Sequence, residues 1–278
     1  MRIQILSVFT PEARQDAWDS LSAEDRHYML AWGFSSVEGG RNIMEGWIES
    51  AVQSTNDAFL NSGIQTRVAL AHAQEIEQTE DKASIQEYLD WLYLSINVPG
   101  NQVWDLREQH NADLVSLWVK HTGSDGTACG TGNMLETGPW VPNQGTARAA
   151  SVVDFDCKHS LSFAHEIGHN LGAAHDEYEV LNGGNPWPGY FDYSYGHITE
   201  PWHPSLPRRR TVMAYRRYCD DIGYECPRVP HFSNPDVSYM GYQTGAARAN
   251  NARTIDRTGY YVSRHRPLTM PRPPEPTP

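Results

Sequence analysis

The chain has 278 residues and carries 34 acidic against 22 basic side chains, a formal net charge of −12. That balance argues against a nucleic-acid surface, although an acidic total still permits a local basic pocket. The length allows one large domain or two small ones with a substantial core. No apolar run approaches the ~20 residues that carry a helix across a bilayer.

In chain order the patterning reads as α/β. Residues 1–10, MRIQILSVFT, set Ile3, Ile5 and Val8 against Gln4 and Ser7, the alternation of a strand rather than the charged and apolar regions of a secretory signal. A helix is expected over about 41–61, where Ile43, Trp47, Ile48, Ala51, Phe59 and Leu60 approximate a 3.6-residue period. Thr66, Val68 and Leu70 mark a second strand, and Ile85, Tyr88, Leu89 and Leu92 begin a helix that Val98-Pro99-Gly100 interrupts. Residues 112–119, ADLVSLWV, read as a buried third strand. Fourth and fifth strands are expected near 126–135 and 147–155, feeding a helix over about 161–171.

That helix carries HEIGHNLGAAHD at 165–176. His165 and His169 are four apart and so share one helical face. Two imidazoles so placed can bind one zinc ion, with Glu166 beside them as a general base. Gly172 offers a left-handed residue to end the helix, after which the chain can turn and bring His175 to the same metal. Three neutral nitrogens leave a fourth position for water, the catalytic rather than the structural arrangement.

Four cysteines, Cys129, Cys157, Cys219 and Cys226, permit two disulfides in three connectivities or four reduced thiols. Cys219 and Cys226 bracket a short loop, which makes their pairing easy and leaves Cys129 with Cys157. Beyond His175 the composition changes. Residues 176–210 are rich in Gly, Pro and aromatics, among them Trp187, Tyr190, Tyr193, Tyr195 and Trp202, the character of a long functional loop. A last amphipathic helix is expected over about 248–265 with Ala252, Ile255 and Val262 on one side, and PRPPEPTP at the end reads as a linker or tail.

The extended HExxHxxGxxH, followed by Met213 in TVMAY (211–215), resembles the zinc signature and methionine turn of the metzincin metallopeptidases. Asp176 after the third histidine is similar to reprolysins, whereas Tyr215 two residues after the methionine is similar to astacins and serralysins. With CPRVPHFSNPDV and NARTI, the combination resembles the bacterial reprolysin-like group that includes peptidyl-Asp metalloendopeptidases. The resemblance implies a metzincin fold, with a twisted five-stranded mixed sheet, an active-site helix and a smaller irregular C-terminal subdomain. A catalytic domain over 1–268 would divide into an upper part, about 1–172, and a lower part, about 173–268, with 269–278 as the tail.

The resemblance also implies a secreted, monomeric zinc endopeptidase, made with a signal and propeptide outside this chain. One zinc ion would lie on His165, His169 and His175, with Glu166 as general base. Tyr215 would steady the oxyanion or act as a weak fifth ligand, and Met213 would pack beneath the histidines. Substrate would lie as an extended strand along the edge near 126–135, with no nucleic acid or membrane partner. An arginine near the methionine turn, from Arg208, Arg209, Arg210, Arg216 and Arg217, would favour an acidic residue after the cut bond. A structural calcium is expected at Asp176–Tyr178 or Asn234–Asp236. His197, His203 and His231 read as loop histidines outside the site. The rival readings are a broad or apolar-specific protease, a hydrolase of other amides or esters, and a glycoprotein-binding module on a dead protease scaffold.

Overall fold

The computed structural model of the protein describes residues 1–96, 98–120, 128–135, 149–183, 188–200 and 206–264. Five strands, β1 (Arg2–Phe9), β2 (Arg67–Glu75), β3 (Leu114–Val119), β4 (Gly130–Gly132) and β5 (Ala150–Asp154), form one sheet in the order β2-β1-β3-β5-β4. The first four in that order run parallel, and β4 lies antiparallel to β5 on the edge.

Helices cover both faces, as a mostly parallel sheet requires. Ile3, Ile5 and Phe9 of β1, Leu114 and Trp118 of β3 and Val153 of β5 share one core. With them pack Met44, Ile48 and Phe59 of α3 (Ser36–Asn61) and Phe163 and Ile167 of α6 (Ser162–Asn170). Leu6 and Val8, Val115, Leu117 and Val119, and Val152 face the opposite layer, made by α4 (Ile85–Leu94) and α5 (Gln102–Gln109). Strand β1 is therefore buried on both faces from Ile5 to Phe9. The half-polar alternation expected there gives way because β1 is a central strand between two helical layers.

Several bounds differ from the sequence reading. The long helix begins at Ser36, where Ser35 and Glu38 form a reciprocal capping box. Two helices before it, α1 (Pro11–Asp19) and α2 (Ala23–Ala31), were not expected. The first buries only the short face of Ala13, Ala17 and Trp18, two of them small, and the second buries nothing, so the apolar signal is weak in one and missing in the other. The fourth strand is confined to Gly130–Gly132 and the fifth to Ala150–Asp154. Residues 126–127 of the expected edge, Trp187, Trp202, His203 and the 269–278 tail lie outside the described residues.

After α6 come short elements: β6 (Ala174–Asp176), α7 (Glu177–Asn182), β7 (Tyr195–Gly196), α8 (Arg217–Asp221), and the hairpin β8 (Ser238–Tyr239) with β9 (Tyr242–Gln243). The last helix, α9 (Asn251–Val262), returns Ala252, Ile255 and Val262 to the main core. Two polar latches hold it there. The Asp256 carboxylate accepts hydrogen bonds from the backbone N–H groups of Gln65 and Thr66, and the Thr258 hydroxyl donates to Leu171 O at the end of α6. Disulfides join Cys129 to Cys157 and Cys219 to Cys226.

Candidate metal centre

Helix α6 ends as its sequence requires. Gly172 adopts φ +81°, and the Gly172 and Ala173 N–H groups donate to His169 O and Gly168 O, both at 2.9 Å. This is a Schellman termination. The turn it makes leads at once into β6 and presents His175 to the face bearing His165 and His169. Nε2 of His175 lies 3.1 Å from Nε2 of His165 and 3.0 Å from Nε2 of His169. His165 Nδ1 donates to Val212 O, and His169 Nδ1 donates to Ala173 O, each at 2.9 Å.

Because a carbonyl can only accept, those two Nδ1 atoms carry the protons and the two Nε2 atoms present lone pairs. A proton on His175 Nε2 could satisfy one of its two contacts, whereas a cation can accept the lone pairs of all three nitrogens. Ligands about 2.0–2.1 Å from a tetrahedral zinc stand roughly 3.3 Å apart, close to the spacing here. Burial holds His165 and His175 well below the usual imidazole range, with neighbouring histidines adding to it, and brings His169 down to about 4. All three are thus neutral, the state a metal needs. Among the described residues this is the one group of three His, Cys, Asp or Glu side chains placed to share an ion. His197 and His231 stand outside it.

The turn at 211–215 lies under this face. Met213 is fully buried, and a β-carbon on Gly168 would overlap its sulfur. The helix therefore needs glycine there. Tyr215 stacks on His175 with ring centroids 4.1 Å apart, and its phenol is pushed up to about 12, mainly by burial. Asp176 ties the third histidine to the turn: its carboxylate accepts from Tyr215 N at 2.9 Å and from Glu179 N at 3.0 Å. These bonds occupy the carboxylate in the loop where calcium was expected, and the Asn234 amide likewise spans Asp236 N and Ser62 O.

Glu166 is 4% exposed, and burial raises its carboxyl to about 8, against a smaller lowering by Arg228. Edge strand β4 packs on it. A β-carbon on Gly130 would stand 2.6 Å from Glu166 Oε1, and one on Gly132 would stand 3.2 Å from Oε2. Leu135 N donates to His169 O, and the Asn170 amide donates to Asn133 O and Ala150 O, fixing the edge to the helix. A cavity of about 310 Å³ lies among Asp176, Tyr195, His197, Tyr218 and Arg248. None of the three histidines nor Glu166 lines it, so donor geometry rather than concavity locates the centre.

The sequence profile of Reprolysin_5, metallo-peptidase family M12, matches residues 22–202. The chain belongs to metallopeptidase family M12. Among curated relatives, a peptidyl-Asp metalloendopeptidase of Stenotrophomonas maltophilia R551-3 is 30% identical over 77% of this chain and 46% of its own length. One of the same name from Pseudomonas aeruginosa PAO1 is 29% identical over 84% of this chain and 34% of its own length. The chain thus spans less than half the length of these relatives. A solved chain described as "Structure of a chaperone-substrate complex" superposes on 95% of this one with a TM-score of 0.58 and 17% identity, covering 35% of that chain. That likeness concerns the fold alone. M12 metallopeptidases use zinc, in keeping with the histidine geometry.

Four of the five arginines named near the methionine turn have side-chain partners among the described residues. Arg208 pairs with Glu200, Arg216 with Asp220 and Arg217 with Glu179. Arg210 donates through Nε to Cys226 O and through Nη1 to Ala214 O, bracing the methionine turn. Arg228, outside the expected set, acts electrostatically on Glu166, His165, His175 and Tyr215, and Arg210 acts on Tyr215 as well. The signal for Arg228 was Cys226 two residues earlier, since the disulfide returns that segment to the turn. The glycines of β4 and the carbonyls of Val212 and Ala173 were also missed, because only the tertiary fold reveals their contacts.

Proposed function

We propose that this domain is a zinc-dependent endopeptidase. The observation that carries the reading is the convergence of the His165 and His169 Nε2 atoms on His175 Nε2, at 3.1 and 3.0 Å, beside a buried carboxyl. Zinc held by His165, His169 and His175 would supply a Lewis acid that polarises the scissile carbonyl and acidifies water. Glu166 takes the proton from the attacking water and returns it to the leaving amine. Burial favours that exchange by bringing the carboxyl toward neutral values, and a nearby cation pulls it back down. The Tyr215 phenol, kept protonated by burial, donates to the developing oxyanion.

Substrate adds as an extended strand to the outer edge of β4, with which no other strand pairs among the described residues. The relatives are named peptidyl-Asp metalloendopeptidases, which supports a preference for an acidic residue at the cut, expected here after the broken bond. The sheet and α6 before Gly172, and the short elements after it, fit a metzincin fold with upper and lower parts. Two disulfides favour an oxidising, extracellular setting. The expected partner is a protein or peptide chain acting on a monomer, without nucleic acid.

The test is digestion of a denatured protein mixture, with cuts mapped by mass spectrometry. Cuts by the wild type that vanish with Glu166→Ala and with a chelator, and return with zinc, support the reading. Zinc binding without any Glu166-dependent cut would sink it in favour of a binding module.

A further inference from the structure

We propose that Arg228 is the residue that reads the side chain following the cut bond, and that the group it takes is a carboxylate. This rests on the endopeptidase reading above. The backbone around Arg228 is fixed on both sides. Arg210 N donates to Pro227 O at 3.1 Å and Val229 N donates to Arg210 O at 2.8 Å, which sets Arg228 beside Arg210 in a parallel bridge. The Cys219–Cys226 disulfide closes the loop immediately before.

The two guanidinium groups so paired have opposite fates. Arg210 is spent on the carbonyls of Cys226 and Ala214. Arg228 has a buried Nε without a hydrogen-bond partner, and it forms no ion pair among the described residues. A desolvated cation left beside a second cation is costly, and a carboxylate arriving in its plane relieves that cost through two parallel bonds.

Position decides which carboxylate. Glu166 serves the leaving amine, and that amine belongs to the residue after the cut. Arg228 pairs through its backbone with Arg210, and Arg210 holds Ala214 O, next to Tyr215. That pairing sets Arg228 against the methionine turn, where the side chain after the cut would lie, and its charge is felt at Glu166 and Tyr215. Glu166 itself stands against the glycines of β4 and forms no ion pair with Arg228, so the guanidinium remains available. Arg209 also carries an unpartnered Nε, but its backbone pairs with Thr199 rather than with the segment that follows the disulfide.

The experiment uses peptides that differ only in the residue after the cut: Asp, Glu, Asn, Leu or Lys. Wild type should favour an acidic residue over Asn by ~100-fold in kcat/KM, because the carboxylate accepts two charge-assisted bonds from the guanidinium whereas the amide offers one neutral acceptor. Arg228→Gln should abolish that ratio while cutting before Asn changes less than about threefold, and Arg228→Lys should keep an intermediate ratio. Zinc content and melting temperature of each variant show whether it has folded; where the glutamine variant has not, the lysine variant decides. A second readout is binding of a labelled peptide beginning with Asp or Asn to the non-cleaving Glu166→Ala protein, with and without Arg228→Gln. Cutting without acidic preference, or a preference that survives Arg228→Gln, overturns the assignment and leaves the protease reading standing. No cutting, with Arg228-dependent binding of the Asp peptide, overturns the protease reading and keeps the carboxylate site. Neither cutting nor Asp-selective binding overturns both.

Discussion

Gly130 of the edge strand and Glu166 of helix α6 meet so closely that the strand touches the carboxyl through backbone alone. A β-carbon at Gly130 would fall 2.6 Å from Oε1 and 2.8 Å from Cγ of Glu166. Gly132, two residues on and so on the same face of β4, gives Glu166 only slightly more room. The strand proposed to hold substrate is thus shaped by the group proposed to move its protons.

Gly130→Ala should therefore displace the Glu166 carboxyl and spare the three histidines. The expectation is kcat lowered by about 100-fold, the loss that a misplacement near 1 Å brings, with zinc stoichiometry unchanged. Gly132→Ala should act in the same direction and more weakly. Metal analysis alongside peptide kinetics checks the pair. A Gly130→Ala enzyme with unaltered kcat would mean that the carboxyl needs no such seat.

Gly172 offers a second substitution whose effect is spatial. Its φ of +81° and a β-carbon position 2.6 Å from Tyr190 Cβ both oppose a side chain. Left-handed backbone costs a non-glycine residue ~1–2 kcal/mol, and overpacking adds ~1–3 kcal/mol. Gly172→Ala should lower stability by about 2–4 kcal/mol in denaturant unfolding. It should also weaken zinc binding, since the turn it closes supplies Ala173 O to His169 and aims His175.

How far the sequence foretold this site depends on how local each part is. The i, i+4 histidines, the terminating glycine and the third histidine lie within 11 residues, and helical geometry alone brings them together. Both disulfides and the buried Met213 also met expectation. Helices α1 and α2 escaped notice because a helix that buries three residues or none leaves little or no periodic trace. Arg228 escaped because it lies 62 residues beyond Glu166, and only the disulfide and the Arg210 pairing return it. Arg208, Arg216 and Arg217, nearer the methionine turn in sequence, face carboxylates of their own.

Asp176 is expected to matter to the metal without touching it. Its carboxylate caps α7 through Glu179 N and holds Tyr215 N. Asp176→Ala removes both acceptors, at ~1 kcal/mol for the cap and ~1–3 kcal/mol for a stranded N–H. Loss of such support behind a ligand typically costs 10–100-fold in metal affinity. Competition with a chromophoric chelator should show that loss, and an affinity equal to wild type would confine Asp176 to folding.

The buried carboxyl of Glu166 sets a pH signature in the metal-free protein. Its value of about 8 when folded stands above the ordinary 4.5, so the native state keeps a proton that the unfolded chain has released. Stability is therefore lost as pH rises from about 4.5 through 8, and the loss is complete above that range. The interval corresponds to roughly 5 kcal/mol as an upper figure. Glu166→Gln cannot ionise and escapes this loss. The three histidines also respond to pH, with values lowered by burial, but they are common to both proteins and cancel in the difference. Chelator-treated wild type and Glu166→Gln should melt at similar temperatures near pH 5, and the variant should gain steadily up to pH 8 and hold its advantage at pH 9. A difference that stays flat across this range would mean that Glu166 remains charged in the metal-free fold and is stabilised by Arg228 more strongly than its burial opposes.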